Sequence, residues 1–438
     1  MSDQFRALQG FRDVLPEEQP YWHYIEAVAQ EVTELFGYRR IETPLLEETS
    51  LFRRTSGEGT DVVDKEMYSF DDRADKEGRR QNLSLRPEGT AGVVRAYLEN
   101  GMARLPQPVK LYYMNAAMFR RDRPQAGRYR EHHQFGCEVL GENDPALDAE
   151  MIALLYQFYT RLGLKQIHVY INSIGDRESR PQYIEKLREY YRPLLETCCE
   201  DCQVRFDKNP LRLLDCKEPQ DQAKIANAPK TIEHLSEAAR QHFDAVQRYL
   251  QAYEVPFRIN PLLVRGLDYY THTVFEFTSE FESKLALNGG GRYDGLAEIL
   301  GGPHTPGIGF GAGIERIILE MKRQGIEPPA AQKPEVFVVY FDRVEELKTT
   351  AIQITARLRK AGLRTEMSYG DRSRKAQMRQ ANASQAAYTV LIIADELANG
   401  LVTIKDMRAE GDDIESKQVQ VSLSDLEAYF QPHEHATV

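Results

Sequence analysis

Two long strand-forming segments joined by an arginine-rich connection constrain the fold of this chain most strongly. Residues 110–120 and 132–141 have the composition of β-strands. The connection contains Pro124 and Gly127, residue types that favour turns. The pattern predicts two strands joined by a long hairpin loop.

Side chains alternate between the two faces of a strand, so each segment can be sorted by face. In the second segment, one face carries the apolar side chains of Phe135, Cys137 and Val139. The opposite face carries Gln134, Gly136 and Glu138. In the first segment, the same alternation predicts a shared face for Met114, Ala116, Met118 and Arg120.

A helix is predicted over residues 18–36, because apolar side chains recur there at helical spacing and Gly37 provides a stop. A short strand over 39–44, closed by Pro44, follows it. Further strands are predicted over 269–278 and over 285–287, the latter leading into the glycine run 289–291. His272 is expected on the same face as Tyr270.

The chain is too long for one average domain. We predict a first domain over 1–327 that contains a helical insertion over 178–252, a proline-rich linker over 328–334, a second domain over 335–430 and a loose tail over 431–438. In the second domain, strands over 335–341, 363–367 and 387–394 alternate with helices ending near 361 and 384, which is typical of a small α/β domain.

The net charge of −11 argues against binding of nucleic acid by a general positive field. Two local basic segments exist nevertheless, over 119–130 and over 357–379, and each could equally be a solvated face. No apolar stretch is long enough for a membrane span, and the first residues lack an apolar signal core. We therefore expect a cytoplasmic protein.

The cysteines are Cys137, Cys198, Cys199, Cys202 and Cys216. Their odd number favours reduced thiols over a disulfide framework. Cys199 and Cys202, followed by Cys216, resemble half of a zinc site, but a fourth ligand would have to be the adjacent Cys198 or a distant histidine. The spacing leaves zinc open and favours free thiols, so no metal site is predicted.

Glycines alternate along residues 307–313, at Gly307, Gly309, Gly311 and Gly313. The spacing differs from that of a dinucleotide-binding loop, and no P-loop lysine is present. Alternating glycines remove side chains from one face of a strand, so a flat ligand can lie against the backbone. Tight packing of the strand on a helix would require the same pattern.

Three arginines stand at predicted strand ends or junctions: Arg120, Arg265 and Arg316. A guanidinium group binds two phosphate oxygens at once, so the arrangement favours a polyphosphate ligand. Each arginine alone could belong to a surface salt bridge.

These segments together resemble the histidyl-tRNA synthetase family of class II aminoacyl-tRNA synthetases, bacterial type. Residues 119–135 are similar to the second signature motif of that class, residues 307–316 to the third, and the helix, strand and Pro44 near the N-terminus to the first. Residues 265–271 and 289–295 are similar to the two histidine-specific motifs of the family.

The resemblance implies an α+β catalytic domain with a mainly antiparallel sheet of six or seven strands, a helical insertion and a C-terminal α/β anticodon-binding domain. It also implies ligation of L-histidine to histidine tRNA with ATP and Mg²⁺ bound as substrates, and no tightly held prosthetic group. The N-terminal motif implies a homodimer.

The resemblance further implies a role for each matching residue. Arg120, Asp122 and Arg316 would bind ATP. Arg265 would contact the α-phosphate and replace part of the usual metal charge, so Arg265 and Arg120 are the predicted catalytic residues. The predicted histidine-binding residues are Glu88, Thr90, Gln134, Glu138, Arg265, Tyr269, Tyr270 and Tyr293. The predicted tRNA-binding residues are Arg121, Arg123, Gln125, Arg128, Arg372 and Arg374.

The alternation of side chains agrees with part of this assignment, because Gln134 and Glu138 share a face. A carboxylate that accepts a ring N–H fixes the tautomer of an imidazole, which suits Glu138. A partly buried salt bridge is the alternative for Glu138, and aromatic core packing is the alternative for Tyr269, Tyr270 and Tyr293.

Two rival functions remain open at this point. A regulatory subunit of ATP phosphoribosyltransferase resembles the same family, but it generally lacks the C-terminal domain and departs from the pattern around residues 265–270. A plain nucleic-acid-binding protein would leave Arg265, Glu138 and the glycine run unexplained. Exchange of pyrophosphate into ATP with single amino acids would separate these functions.

Overall fold

The computed structural model describes residues 5–57, 66–74, 76–121, 123–124, 127–279, 286–330, 332–341, 345–370, 372–408 and 418–430. The chain forms two compact units, Met1–Pro329 and Ala330–Val438. The division between them falls inside the segment predicted as a linker. The finer domain limits given above stay predictions.

The first unit combines helices with β-strands along its whole length. Its helices are α1 Gln19–Leu35, α2 Thr49–Ser56, α3 Thr90–Glu99, α4 Pro145–Arg161, α5 Ser179–Tyr191, α6 Glu200–Lys208, α7 Pro219–Ala226, α8 Glu237–Ala252, α9 Leu296–Ile299 and α10 Ile314–Arg323. Its strands are β1 Arg39–Arg40, β2 Leu46–Glu48, β3 Ser69–Asp71, β4 Asn82–Leu85, β5 Val109–Phe119, β6 Glu131–Leu140, β7 Ile167–Ser173, β8 Arg258–Ile259, β9 Thr271–Ser279, β10 Asn288–Arg292 and β11 Gly307–Gly313.

The described residues place eight strands in one sheet, in the order β1-β5-β6-β11-β10-β9-β7-β8. All neighbours are antiparallel except β1 with β5 and β7 with β8. The predicted α+β domain with a mainly antiparallel sheet is therefore confirmed. The six longer strands match the predicted number, and β1 and β8 add two strands of two residues each.

Helix α1 forms as predicted and buries Ile25, Val28 and Val32. It ends before Gly37, whose φ of 77° is a conformation that glycine adopts without a Cβ penalty. The strand predicted over 39–44 is shorter in the structure, because only Arg39 and Arg40 pair with β5.

The predicted shared face of the first long strand is wrong. The register of β5 against β6 shifts between Tyr113 and Ala116, and Asn115 adopts a φ of 52°. This β-bulge inserts one residue, so the alternation of faces reverses at that point. Met114 consequently packs in one core, whereas Ala116 and Met118 pack in the core on the other face of the sheet.

The strand predicted over 285–287 lies later in the chain, because the glycine run itself forms β10. Glycine is disfavoured in strands by propensity, which explains the misplacement. A Cβ on Gly290 would lie 2.3 Å from the ring of Phe275 and 2.7 Å from the carbonyl oxygen of Gly309. The close approach of β9 and β11 therefore requires glycine here.

The sheet separates two apolar cores. One core packs α1, α4, α8 and α10 against Phe135, Cys137 and Val139, so the predicted inner face of β6 is confirmed. The other core contains residues of α3, of the helical region between β7 and β8, and of the tyrosine-rich segment before β9. None of the helices among the described residues is both long and apolar enough to cross a membrane.

The helical region between β7 and β8 does not behave as one separate insertion. Helix α8 contributes Phe243, Val246 and Leu250 to the core shared with α1 and α4. The region from α5 to α7, with 3-10 turns at Arg192–Thr197 and Pro210–Asp215, packs on the opposite face of the sheet. This second part lies beside the site described below.

The second unit is an α/β domain with a sheet of its own, as predicted. Its strands are β12 Val336–Tyr340, β13 Thr365–Met367, β14 Tyr388–Ile392, β15 Leu401–Asp406 and β16 Gln418–Ser422, in the order β13-β12-β14-β15-β16. Its helices are α11 Glu345–Lys360, α12 Arg374–Ser384, α13 Ala394–Ala398 and α14 Leu426–Phe430. Strands β15 and β16 were not predicted.

Candidate active site

A cavity of about 590 Å³ opens above the middle of the large sheet. Strands β6, β10 and β11, the segment before β9 and the end of the Pro210–Asp215 turn contribute to its lining. Four arginines line it: Arg120, Arg128, Arg265 and Arg316. The three arginines singled out in the sequence are thus brought together, and Arg128 joins them.

Backbone carbonyl groups position two of these arginines. The Nε of Arg120 donates to the carbonyl oxygen of Pro87 at 2.9 Å. Arg316 donates from Nε to Gly127 at 3.0 Å and from Nη1 to Ala286 at 2.7 Å. The acceptors of Arg316 are neutral carbonyl groups, whereas Arg120 also lies 3.9 Å from the carboxylate of Glu66. The positive charge of Arg316 is therefore the less offset of the two.

Arg265 lies against strand β10. Its Nη1 donates to the carboxylate of Glu276 at 3.2 Å, and its guanidinium stands 5.9 Å from the ring centre of Tyr270. A Cβ on Gly289 would lie 1.5 Å from Nη2 of Arg265, so glycine leaves the space that the guanidinium occupies. Sequence reasoning missed Glu276, which lies in a strand whose pattern indicated only β-structure.

The electrostatics of this cavity favour an anion. Burial lowers the pKa of Arg316, and the neighbouring cations of Arg128 and Arg120 lower it further. Burial and the charges of Arg120 and Arg316 lower the pKa of His132 to about 3. His132 is therefore neutral at pH 7, and the arginines retain an excess of positive charge that a polyphosphate would offset.

The alternating glycines meet the cavity at its floor. Gly289 and Gly311 are paired across β10 and β11, and both line the cavity together with Gln134. Their backbone is accessible there, which suits a flat ligand. Further along β11 the bare face is filled by side chains instead, because a Cβ on Gly309 would lie 1.7 Å from Oε2 of Glu138 and one on Gly307 would lie 2.3 Å from the ring of Tyr293.

Glu138 is fully buried next to this cavity. Its Oε1 accepts a hydrogen bond from the hydroxyl of Thr90 at 2.7 Å, and its Oε2 accepts one from the hydroxyl of Tyr293. Burial raises the pKa of Glu138 to about 8, although these hydroxyl groups lower it in part. Hydroxyl groups rather than a cation hold this carboxyl group, so the salt-bridge alternative does not apply.

Glu88 and Thr90 begin helix α3. The carboxylate of Glu88 accepts backbone N–H groups of Thr90 at 2.7 Å and of Ala91 at 2.9 Å. Glu88 therefore caps the helix N-terminus, where a negative charge is favoured. Burial raises its pKa despite these bonds, so Glu88 and Glu138 form a pair of desolvated carboxyl groups linked by Thr90.

Three predicted tyrosines enclose these carboxyl groups. Tyr269 stacks at 4.6 Å from Tyr270 and at 5.8 Å from Tyr293, and all three are buried. These tyrosines also belong to the apolar core. Core packing and a position beside the carboxyl groups are therefore compatible. We call the buried set of Glu88, Thr90, Glu138, Tyr269, Tyr270 and Tyr293 the carboxylate chamber.

Sequence reasoning missed Tyr113 as a member of this region. A Cβ on Gly136 would lie 2.3 Å from the Tyr113 ring, and one on Gly89 would lie 2.6 Å from it. The nearby Glu138 and Glu88, after burial, raise its pKa well above the usual value. The only signals in the sequence are the two glycines that leave room for this ring, Gly89 and Gly136. They lie 47 residues apart, so no local pattern connects them with Tyr113.

The helical region between β7 and β8 closes one side of the cavity through Asp215, Lys217 and Gln222. Side chains of this region also donate hydrogen bonds to the segment that follows Arg265. Arg180 donates to the carbonyl oxygens of Asp268 at 3.2 Å and Tyr270 at 2.8 Å, and Asn209 donates to the side chain of Asp268.

His272 does not share a face with Tyr270. It has a φ of 49° at an irregularity of β9 and lies 5.0 Å from the ring of His242, near Asp294. The break in alternation directs it to the other face of the sheet, away from the carboxylate chamber.

The remaining predicted residues are dispersed. Arg121 lies outside the cavity with its guanidinium 5.9 Å from the ring centre of Tyr68, and Arg123 is exposed. Asp122 and Gln125 lie outside the described residues. Arg372 and Arg374 belong to the second unit, where Arg374 stands 4.8 Å from the ring centre of Phe341.

Comparison with known proteins decides the family. Residues 10–317 match the family model of histidyl-tRNA synthetase, and residues 335–433 match that of an anticodon binding domain. The chain belongs to the histidyl-tRNA synthetase family. The resemblance stated from the sequence motifs is confirmed.

Named relatives of this histidyl-tRNA synthetase family cover almost the whole chain. Histidine–tRNA ligase of Dehalococcoides mccartyi is 47% identical over 93% of this chain and 96% of its own length. That of Pelotomaculum thermopropionicum is 48% identical over 92% of this chain and 93% of its own length. The crystal structure of apo S. aureus histidyl-tRNA synthetase superposes with a TM-score of 0.79 at 35% identity, covering 98% of this chain and 100% of that chain.

A structure from Bacillus halodurans, described as an ATP phosphoribosyltransferase regulatory subunit/histidyl-tRNA synthetase, superposes with a TM-score of 0.62 at 22% identity, covering 90% of this chain and 98% of that chain. This likeness concerns the fold alone. The family match and the histidine–tRNA ligase relatives that cover almost the whole chain show a histidine–tRNA ligase rather than its regulatory relative.

Proposed function

We propose that this chain is a histidine–tRNA ligase that activates L-histidine with ATP and transfers it to histidine tRNA, with the arginine cavity binding the nucleotide and the carboxylate chamber binding the amino acid. One observation carries the assignment of the two substrates. A cavity lined by four arginines lies beside a buried set of side chains with two carboxyl groups. Gln134 lines the cavity, whereas Glu138 of the same strand face is buried.

For the nucleotide, Arg120 and Arg316 would bind the phosphates of ATP, with Asp122 as a further contact. Arg265 would contact the α-phosphate. The support is the convergence of these guanidinium groups on one cavity and their fixation by carbonyl groups and by Glu276. The accessible backbone of Gly289 and Gly311 would accommodate the flat adenine or the ribose.

The family reaction depends on ATP, and we propose that Mg²⁺ arrives with it. The cavity offers carboxylate oxygens from Glu276 and Asp215, the ligand type that Mg²⁺ prefers. These residues would hold the ion, which would offset negative charge on the phosphates when bound.

For the amino acid, Glu138 would accept the ring N–H of histidine, with Thr90 and Tyr293 orienting the carboxylate through their hydroxyl groups. Glu88 and Gln134 would bind the α-amino group, with Thr90. Tyr269 and Tyr270 would enclose the side chain. A pocket that hydrogen-bonds a polar side chain rejects analogues lacking it by roughly 10⁴–10⁵, so no editing site is needed.

In the first step, the carboxylate oxygen of histidine attacks the α-phosphorus of ATP, a P–O bond forms, and pyrophosphate leaves. Arg265 and Arg120 would stabilise the charge that develops on the phosphoryl oxygens, which together with alignment supplies most of the catalysis. In the second step, a terminal ribose hydroxyl of the tRNA attacks the carbonyl carbon of histidyl-adenylate, and AMP leaves.

For the tRNA, we propose contacts with Arg121, Arg123, Gln125 and Arg128 near the acceptor end and with Arg372 and Arg374 in the second unit. Basic side chains at these positions suit phosphate contacts. We further propose a homodimer, which the exposed apolar side chains of Leu35, Leu45 and Leu46 around the first motif support. We also propose a cytoplasmic location, which the family reaction supports.

Amino-acid-dependent exchange of pyrophosphate into ATP tests the proposal. The purified protein is incubated with Mg²⁺, ATP, labelled pyrophosphate and each amino acid in turn, and we expect exchange with histidine alone. Histidinol, which keeps the ring and the amino group but lacks the carboxylate, should inhibit without supporting exchange. Absence of exchange with all amino acids would exclude the ligase.

A further inference from the structure

Four potential metal ligands meet in the helical region beside the active site. The Sγ atoms of Cys199, Cys202 and Cys216 and a carboxylate oxygen of Asp221 all lie within 4.8 Å of one another. All of these residues except the partly exposed Cys199 are buried. Sequence reasoning found the three cysteines and sought a fourth ligand in Cys198 or a histidine, whereas the structure brings Asp221 to the group.

We propose that Cys199, Cys202, Cys216 and Asp221 bind one zinc ion that holds this region in place. The two distances from Sγ of Cys216 agree with a tetrahedral site. With Zn–S bonds of about 2.3 Å, two thiolate ligands of such an ion lie about 3.8 Å apart, and a thiolate and a carboxylate oxygen lie about 3.5 Å apart. The Sγ atoms of Cys199 and Cys216 are 3.7 Å apart, and Sγ of Cys216 is 3.4 Å from Oδ2 of Asp221.

The same distances disfavour other uses of these thiols. A disulfide requires sulfur atoms about 2.0 Å apart, and all five cysteines are free. Three thiolates with one carboxylate suit a soft or borderline ion and not Mg²⁺ or Ca²⁺, which prefer oxygen ligands. The small size of the group fits a single ion.

The groups around the cysteines stabilise thiolates, the form in which cysteine binds zinc. Backbone N–H groups donate to two of the sulfur atoms, from Cys202 to Sγ of Cys199 and from Glu218 to Sγ of Cys216, each at 3.4 Å. Lys224 pairs with Oδ1 of Asp221 at 2.9 Å, which leaves Oδ2 facing the thiols and offsets part of the negative charge. Such second contacts orient metal ligands and tune their affinity.

The ligands come from three places in the chain. Cys199 and Cys202 belong to the N-terminal end of α6, Cys216 follows the Pro210–Asp215 turn, and Asp221 lies in α7. The segment that the ion would fix contains Asp215, Lys217 and Gln222, which line the cavity. The zinc ion would thus be structural and would hold one wall of the nucleotide site.

The metal content of the purified protein tests this proposal. After removal of any affinity tag, we expect about one zinc per chain by mass spectrometry of the metals. The variant C202S/C216S should retain less than about a tenth of that amount, because two of four ligands are lost. Cys198→Ser is the matched control, since Cys198 is adjacent and buried, its Sγ donates to the carbonyl oxygen of Leu194 at 3.4 Å, and it does not belong to the group of four potential ligands.

Cobalt provides a second readout that does not depend on the zinc supply of the expression host. Wild-type protein and Cys198→Ser, reconstituted with Co²⁺ under reducing conditions, should show the intense visible bands of tetrahedral cobalt and thiolate charge-transfer bands, whereas C202S/C216S should not. Zinc-free wild-type protein that also lacks these bands would overturn the proposal. Equal zinc content in wild type and C202S/C216S would overturn it too. Neither readout depends on the ligase reaction.

Discussion

The arginine cavity and the carboxylate chamber are neighbours on the same strands and have opposite electrostatic properties. The cavity is open, and carbonyl groups and the carboxylates of Glu276 and Glu66 contact its guanidinium groups. The chamber is closed, and hydroxyl and backbone N–H groups hold its carboxyl groups. The difference teaches that two adjacent parts of one sheet can have opposite properties: the cavity gathers positive charge, whereas burial raises the pKa of both carboxyl groups in the chamber.

The largest expected effect is a loss of activity on removal of an arginine from the cavity. Arg265→Ala should lower the rate of pyrophosphate exchange about a thousandfold, because removal of one preorganised charge at such a centre costs about 3–4 kcal/mol. Exchange kinetics and circular dichroism measure activity and fold. Arg188→Ala, which removes an arginine paired with Glu185 on α5, serves as the control. Near-normal exchange by Arg265→Ala would remove this residue from the mechanism.

The next effect separates the two substrates. Glu138→Gln should raise the KM for histidine by about ten- to hundredfold, since a hydrogen bond to a charged group contributes about 1.5–3 kcal/mol. The KM for ATP should change little, because the proposed nucleotide contacts are the arginines of the cavity. A larger change in the KM for ATP than for histidine would contradict the division into cavity and chamber.

A single methyl group tests the boundary between the regions. Gly309→Ala places a Cβ 1.7 Å from Glu138, whereas Gly313→Ala on the same strand face meets only Arg316, at an ordinary 3.6 Å. Overpacking typically costs about 1–3 kcal/mol, so Gly309→Ala should weaken histidine binding by roughly tenfold and more than Gly313→Ala does. Calorimetric titration with histidine measures both. Equal affinities would mean that Glu138 does not occupy this space.

The raised pKa of Glu138 predicts a pH dependence of stability without substrate. The unfolded carboxyl group loses its proton near pH 4.5 and the folded one only near 8, so the folded protein should lose stability as the pH rises between about 4.5 and about 8. Each unit of pKa difference corresponds to about 1.4 kcal/mol. Denaturant unfolding at several pH values should show a smaller loss for Glu138→Gln. Parallel curves for the two proteins would refute the shift.

The smallest expected effect lies in the second unit, outside both regions. R372A/R374A should lower tRNA charging several-fold, because each phosphate contact contributes modestly, and should leave pyrophosphate exchange unchanged. Comparison of the two assays on one preparation checks this. Equal loss in both assays would place these arginines in the activation step.

Regular strand geometry explains which parts of the site could be predicted. The period of two assigned Gln134 and Glu138 to one face and Phe135, Cys137 and Val139 to the other, and β6 contains no irregularity that would reverse it. The same rule was wrong in β5 and at His272, where residues with positive φ interrupt the alternation. A local bulge depends on contacts with neighbouring strands, which a single segment does not reveal.

Contacts between different elements were the other gap. Glu276, Tyr113 and Asp221 carry no pattern of their own, and each acquires its place from a partner outside its own helix or strand. The strand predicted over 285–287 stopped short of the glycines that form β10, because glycine has low strand propensity. The closeness of Phe275 and Gly309 requires glycine there.

The sequence by itself determined the family, the mainly antiparallel sheet, the small second domain and most of the candidate binding residues, because these depend on motif order and on the periodicity of apolar side chains. Only the tertiary structure decided which arginines share a cavity, that hydroxyl groups hold Glu138, and that Asp221 joins three cysteines. Those facts are distances between residues on different elements, and packing of the whole fold sets such distances.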